Sequence, residues 1–114
     1  MAREFEVQNA DEFEKLVASR DFRVYEALVS TILKNLTSKK RHHHVLSVIS
    51  IDEDAVYDIT LDKQDFCYTL EESLSAYEKE EKYEECAKIK EAMEYLSKKK
   101  VEKEISTIID SLAQ

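Results

Sequence analysis

Three consecutive histidines, His42–His43–His44, are the first residues of this chain whose type suits chemistry, since imidazole ligates metals and titrates near neutral pH. In an extended segment, however, His42 and His44 share one face and His43 takes the other. Two imidazoles on a face make an incomplete zinc site, and no Cys or carboxylate stands at a spacing that completes it. What remains to them is a pH-dependent contact. Asp52–Glu53–Asp54 and the glutamates of 78–85 offer oxygens to a hard cation, but an EF-hand loop needs a Gly that this chain lacks. Paired acids serve hydrolysis when one sits in an apolar cleft with a raised pKa. These acids fall in a turn and on polar faces, so a solvated surface is expected. Cys67 and Cys86 lie in helical patterns with no His at a telling distance, which predicts small buried apolar residues of a cytosolic chain. No nucleophile, metal set or cofactor is read, and no enzyme is expected.

Composition narrows the class further. The 114 residues contain no Gly, Pro or Trp, where average usage predicts about eight Gly and five or six Pro. Without Gly, neither a Walker A loop nor a dinucleotide fingerprint can form. Turns must then be built from Asn, Asp, Ser and Lys, which favours long helices with short polar links. Charged residues make up 37% of the chain and mean hydropathy is −0.52, as expected of a soluble protein. No apolar run approaches the roughly 18 residues a membrane span needs. Acids stand near the N-terminus where a secretory signal needs an apolar core, which predicts a cytoplasmic protein, in the host cytoplasm if the chain is viral.

The net charge of −8 is unevenly spread: residues 1–41 hold 8 Lys/Arg and 7 Asp/Glu, residues 42–114 hold 9 and 18. An acidic C-terminal two-thirds repels phosphate, so direct nucleic-acid binding is not expected. The one basic cluster, Lys39–Lys40–Arg41, reads as a solvated helix end.

The elements that must position these residues follow from periodicity. Phe5 and Val7 alternate in a short strand or extended arm. Asn9 and Glu12 form a capping box for a helix over about residues 10–19, striped by Phe13, Leu16 and Val17. Asp21 caps a second helix, in which Val24, Leu28, Ile32 and Leu36 recur every four residues and which ends near residues 37–40. The β-branched stretch 42–61, split by Asp52–Glu53–Asp54, reads as a β-hairpin with Val45, Ser47, Ile49 and Ile51 on one side. Its Tyr57, Ile59 and Leu61 face must pack on helices, because a lone hairpin is marginal in water. Asp62 or Asp65 opens a third helix striped by Phe66, Leu70, Leu74 and Tyr77. A fourth begins near Tyr83, with Ile89, Met93 and Leu96. A second stripe, Val101, Ile105, Ile108 and Leu112, follows after a five-residue gap at which the helix kinks, breaks or turns its apolar side to another surface. The reading is one domain, 1–114, of α+β class and mainly α. It is a small helical bundle with a β-hairpin (42–61) between an N-terminal helix pair (1–41) and a C-terminal helical hairpin (62–96), ending in an amphipathic tail (97–114).

Residues 80–93 then stand out. Glu81, Tyr83, Glu84, Ala87, Ile89 and Met93, with Cys86 in place of an Ala and Lys90–Glu91 in place of an Arg-Asp pair, resemble the UVR motif. That motif is a helical hairpin of nucleotide-excision-repair nuclease subunits, Clp-type unfoldases and activators of protein-arginine kinases. The resemblance covers about 14 residues and implies protein–protein binding, with no chemistry. On a helix, Cys86 and Ala87 would admit the preceding helix, Tyr83 would close the turn, and Ile89 and Met93 would fill the seam.

The function expected is a non-enzymatic protein-binding module that regulates or assembles a larger complex through its acidic C-terminal half. Its contacts would be Tyr83, Cys86, Ile89, Lys90 and Met93 on the hairpin, or Val101, Ile105, Ile108 and Leu112 on the tail, where a homodimer would also form. The alternative is an acidic inhibitor that mimics nucleic acid in a basic cleft of a host or cellular enzyme. The chain resembles in general character the small acidic proteins of bacteriophages.

Overall fold

Side-chain oxygens start the first two helices. Asn9 Oδ1 accepts the N–H of Glu12 at 3.0 Å, and the Glu12 carboxylate accepts the N–H of Gln8 at 2.8 Å. This is the expected capping box with its return bond displaced by one residue. It opens α1 (Ala10–Ala18), and Asp21 Oδ1, accepting the N–H of Arg23 at 2.9 Å, opens α2 (Phe22–Lys34). The computed structural model describes residues 3–112, and side chains for 3–99 and 112.

The N-terminal segment is a full strand. β1 (Arg3–Val7) pairs in parallel with β2 (His42–Ser50), bringing Phe5 beside Val48, and the two helices form the crossover between them. β2 continues into β3 (Ala55–Asp62) as the expected antiparallel hairpin, giving a three-stranded sheet of order β1-β2-β3. The register shifts between His44↔Thr60 and Leu46↔Ile59, so Val45 is a bulge with no partner opposite. The bulge corrects the expected sidedness: Val45 joins Leu46 and Val48 in the core, while Ser47 and Ile49 are half-buried and Ile51 is exposed. Of the opposing face on β3, Leu61 and Ile59 pack on the core, but Tyr57 is 42% exposed at the uncovered margin.

Two apolar clusters share α2. Ala27 packs with Val7, Val45, Leu46 and Val48 against the sheet, and Val29 and Ile32 pack on the C-terminal helices. Those are α3 (Phe66–Lys79) and α4 (Tyr83–Leu112). Asp62 leads into α3 by accepting the N–H of Gln64 at 2.9 Å across one 3₁₀ turn, Lys63–Asp65, while Asp65 makes no side-chain cap. Lys39, Lys40 and Arg41 lie past the end of α2, in the link to β2 rather than on a helix end, and Arg41 reaches Asp62 at 2.9 Å.

With no Gly in the chain, three ordinary residues take left-handed conformations: Arg20 (φ 57°), Asp54 (φ 46°) and Glu81 (φ 57°). Arg20 and Glu81 end α1 and α3, positions where helices usually use Gly. α4 is unbroken for 30 residues, against 14 in α3. At 1.5 Å per residue it is about 45 Å long beside a partner of about 21 Å. The radius of gyration, 17.1 Å, exceeds the roughly 13 Å of a compact chain this size, as a projecting helix requires.

Candidate functional site

The histidines divide between surface and core, as strand geometry requires. His43 is buried, its Nε2 2.9 Å from the carbonyl of Lys40 and its ring 5.5 Å from that of Phe66. His42 and His44 are exposed on the outer face of the sheet. There His44, Ser47 and Asp58 meet in a trio that resembles a catalytic relay. Ser47 donates to Asp58 Oδ1 at 2.8 Å, and His44 Nε2 lies 3.0 Å from Ser47 Oγ and 3.4 Å from Asp58 Oδ1. A relay needs the hydroxyl to donate to one ring nitrogen while the carboxylate holds the other. Here the carboxylate takes the serine proton and a single nitrogen faces both groups, so the arrangement ties two strands together and does not activate Ser47. Among the described residues, no three His, Cys, Asp or Glu converge as metal ligands.

Ordinary hydrogen bonding accounts for the shifted acids. The Arg23 guanidinium, and then its backbone N–H, hold the Asp21 carboxyl below its usual range. The N–H of Gln64, then Arg41, does the same for Asp62. Glu72, accepting from Tyr68 at 2.8 Å, raises that phenol, and burial raises Tyr77.

The residues of the 80–93 segment separate by helical phase. Cys86 and Ile89 are buried with Tyr77, Leu70 and Ala92, and Met93 and Leu96 are packed at the margin. The alanine turned inward is Ala92, whereas Ala87 is exposed, because the two-residue step from Ala87 to Ile89 turns the helix by about 200°. Tyr83 does not close the turn: it is 67% exposed. The turn is closed by backbone instead, Lys82 N–H to Tyr77 carbonyl at 3.1 Å and Glu81 N–H to Glu78 carbonyl at 3.0 Å. Tyr83 and Lys90 are therefore the hairpin candidates left facing solvent, and Cys86 and Ile89 are committed to the chain's own core.

On α3, the link after it and the first half of α4, Glu71, Glu72, Glu78, Glu80, Glu81, Glu84, Glu85, Glu91 and Glu94 are all exposed. Among the described residues none of these nine closes an ion pair with a Lys or Arg. An open cleft of about 270 Å³ adjoins them, lined by Arg20, Phe22, Tyr25, Glu72, Lys79 and Glu80 among others. It lies below the usual size range of ligand sites, and its rim mixes both signs of charge. Sequence reading missed it because its walls come from segments about fifty residues apart.

Past Leu96, α4 outruns α3 by about sixteen residues. In an unbroken helix the five-residue step from Leu96 to position 101 turns the apolar stripe by about 140°. Positions 101, 105, 108 and 112 thus share the helical phase of Tyr83 rather than that of Ile89. The side chains of Val101, Ile105 and Ile108 lie outside the described residues; Leu112 is 81% exposed. Among the described residues, no helix is long and apolar enough to cross a membrane. Compared with protein-family models, with curated proteins and with solved structures, the chain matches none.

Proposed function

We propose that this protein is a non-enzymatic binding module that assembles or regulates a larger protein complex through its acidic, helical C-terminal half. The observation that carries the reading is the geometry of α4: an unbroken helix about twice the length of α3, whose last apolar positions share the helical phase of exposed Tyr83 and not of buried Ile89. In this reading the stripe is buried by another surface. Facing helices with apolar residues at spacings of four, three and four pack by knobs into holes, so a partner helix fits it. The simplest source of one is a second copy of this chain, giving a homodimer. No cofactor or nucleic acid enters this reading, and the acidic face beside the stripe sets the partner's charge.

A second reading draws on the nine exposed glutamates without cation partners: an acidic inhibitor, phage-encoded in one form, occupying a basic cleft of a host or cellular enzyme. Salt separates the two. Light scattering on the intact chain and on a chain ending at Leu96, at low and high salt, tests the first. A mass that falls on truncation and ignores salt supports the apolar stripe. An intact chain that is monomeric throughout refutes self-assembly.

A further inference from the structure

The sheet ends in an edge that the fold leaves open. β3 is hydrogen-bonded to β2 alone, and no residue of β3 is buried, against five of nine in β2. Edge strands point every second N–H and C=O away from the sheet, and folded chains hide them with a covering element, a bulge, a Pro or a Lys. Among the described residues none of these protects β3, whose guards are the charges of Asp58 and Asp62. The bulge of this sheet lies on β2, and residues 55–62 contain neither Pro nor Lys. Among the described residues, no backbone group of 55–61 makes a backbone hydrogen bond outside the ladder with β2. Apolar surface flanks the open amides on both faces, with Val56 62% exposed on the outer side and Tyr57 on the helix side.

Charge selects what can pair there. From Asp52 to Asp62 the hairpin carries Asp52, Glu53, Asp54, Asp58 and Asp62 and no cation. Asp62 is held by Arg41, whereas Asp54 and Asp58 meet no Lys or Arg among the described residues. Two copies of this edge in antiparallel register would bring Asp58 and Asp62 of each strand into one ladder with no Lys or Arg from either, which opposes a second copy of the chain. A strand with Lys or Arg on its outer face meets Asp58, which has no Lys or Arg partner among the described residues.

We infer that β3 is a docking edge for an extended cationic segment of a partner protein, which adds to the sheet as a fourth strand. Main-chain hydrogen bonds supply the pairing, Asp58 and the acidic turn select cationic side chains on the outer face, and Tyr57 meets apolar residues on the helix side. This surface is separate from the distal stripe of α4, so truncation at Leu96 leaves it whole.

The probe is a nine-residue peptide alternating Lys with Val or Thr, and its Glu counterpart, added to the full chain while amide exchange is followed by NMR. The cationic peptide is expected to slow alternate amides within 55–62 at least about tenfold, and the acidic peptide not at all. Affinity should fall about tenfold or more between low salt and 0.5 M salt, and similarly in Asp58→Lys. Thr60→Lys, at an exposed position without a partner, gives the same reversal if Asp58→Lys disturbs the Ser47 contact. Protection of β3 that grows with chain concentration alone would overturn the proposal in favour of a second copy. Binding confined to the glutamates of α3 and α4, with β3 unprotected, would overturn it outright.

Discussion

The backbone N–H of Lys82 donates to the carbonyl of Tyr77 at 3.1 Å, and that bond forces Glu81 between them into the left-handed region. The same closure recurs at the end of α1, where Asp21 N–H reaches the Leu16 carbonyl at 3.1 Å across Arg20. A side chain in that conformation costs roughly 1–2 kcal/mol, against a Gly entropy cost of roughly 0.5–1 kcal/mol. Arg20→Gly and Glu81→Gly should therefore each raise stability by about 0.5–1 kcal/mol, read as a rise of a few degrees in Tm. Asp54→Gly should gain less, because Asp tolerates this region.

Ser50 is buried with its hydroxyl unpartnered among the described residues, while the Ser73 hydroxyl donates to the Thr69 carbonyl at 2.7 Å. A buried, unsatisfied hydroxyl is better absent. Ser50→Ala should stabilise by about 1 kcal/mol, and Ser73→Ala should change stability by no more than about 0.5 kcal/mol. Denaturant midpoints of the two variants check the contrast.

Position within α4 decides the cost of truncating its side chains. Ile89 is fully buried against α3, so Ile89→Ala should lose about 3–4 kcal/mol. Tyr83→Ala and Lys90→Ala, on the solvent side, should stay within about 0.5 kcal/mol. Equal losses at all three would contradict the helical phase described.

Acid should weaken the fold through its caps. The folded pKa values of Asp21 and Asp62 lie below the ordinary value of 3.8, so both contribute stability that is present above that value. It is lost as pH falls through the lower folded values. In alkali the sign reverses: Tyr77, raised by burial, contributes stability that is full below pH 10.0 and lost above it. Thermal melts between pH 2 and 6 should fall towards acid, with a shallower fall in Asp21→Asn and Asp62→Asn.

The helices, their caps and the hairpin were legible because each rests on neighbours in sequence: Asn9 with Glu12, Asp21 with Arg23, and the alternation of 42–61. β1 was only half legible, since Phe5 and Val7 show a strand's alternation but not that Val48 and Ser50, over forty residues away, complete it. The bulge at Val45 leaves no mark in composition, and one extra residue put Val45 on the side of Leu46 and Val48 instead of that of Ser47 and Ile49. The apolar gap at 97–100 left open whether α4 breaks, because stripes report packing whereas the backbone ladder needs only helix-forming residues. The Ala87 placement failed on phase, with Ala92 the inward position. The open edge of β3 was invisible, because being last in a sheet is a property of topology.

Amide hydrogen exchange along α4 tests the central claim most directly. Residues 97–112 are the part of α4 by which it outruns α3, and in dilute solution they should exchange at least about a hundredfold faster than residues 83–96. The difference should narrow as chain concentration rises or a partner binds. Equal protection of the two halves at high dilution would show that the distal helix packs within its own chain, and would contradict the account.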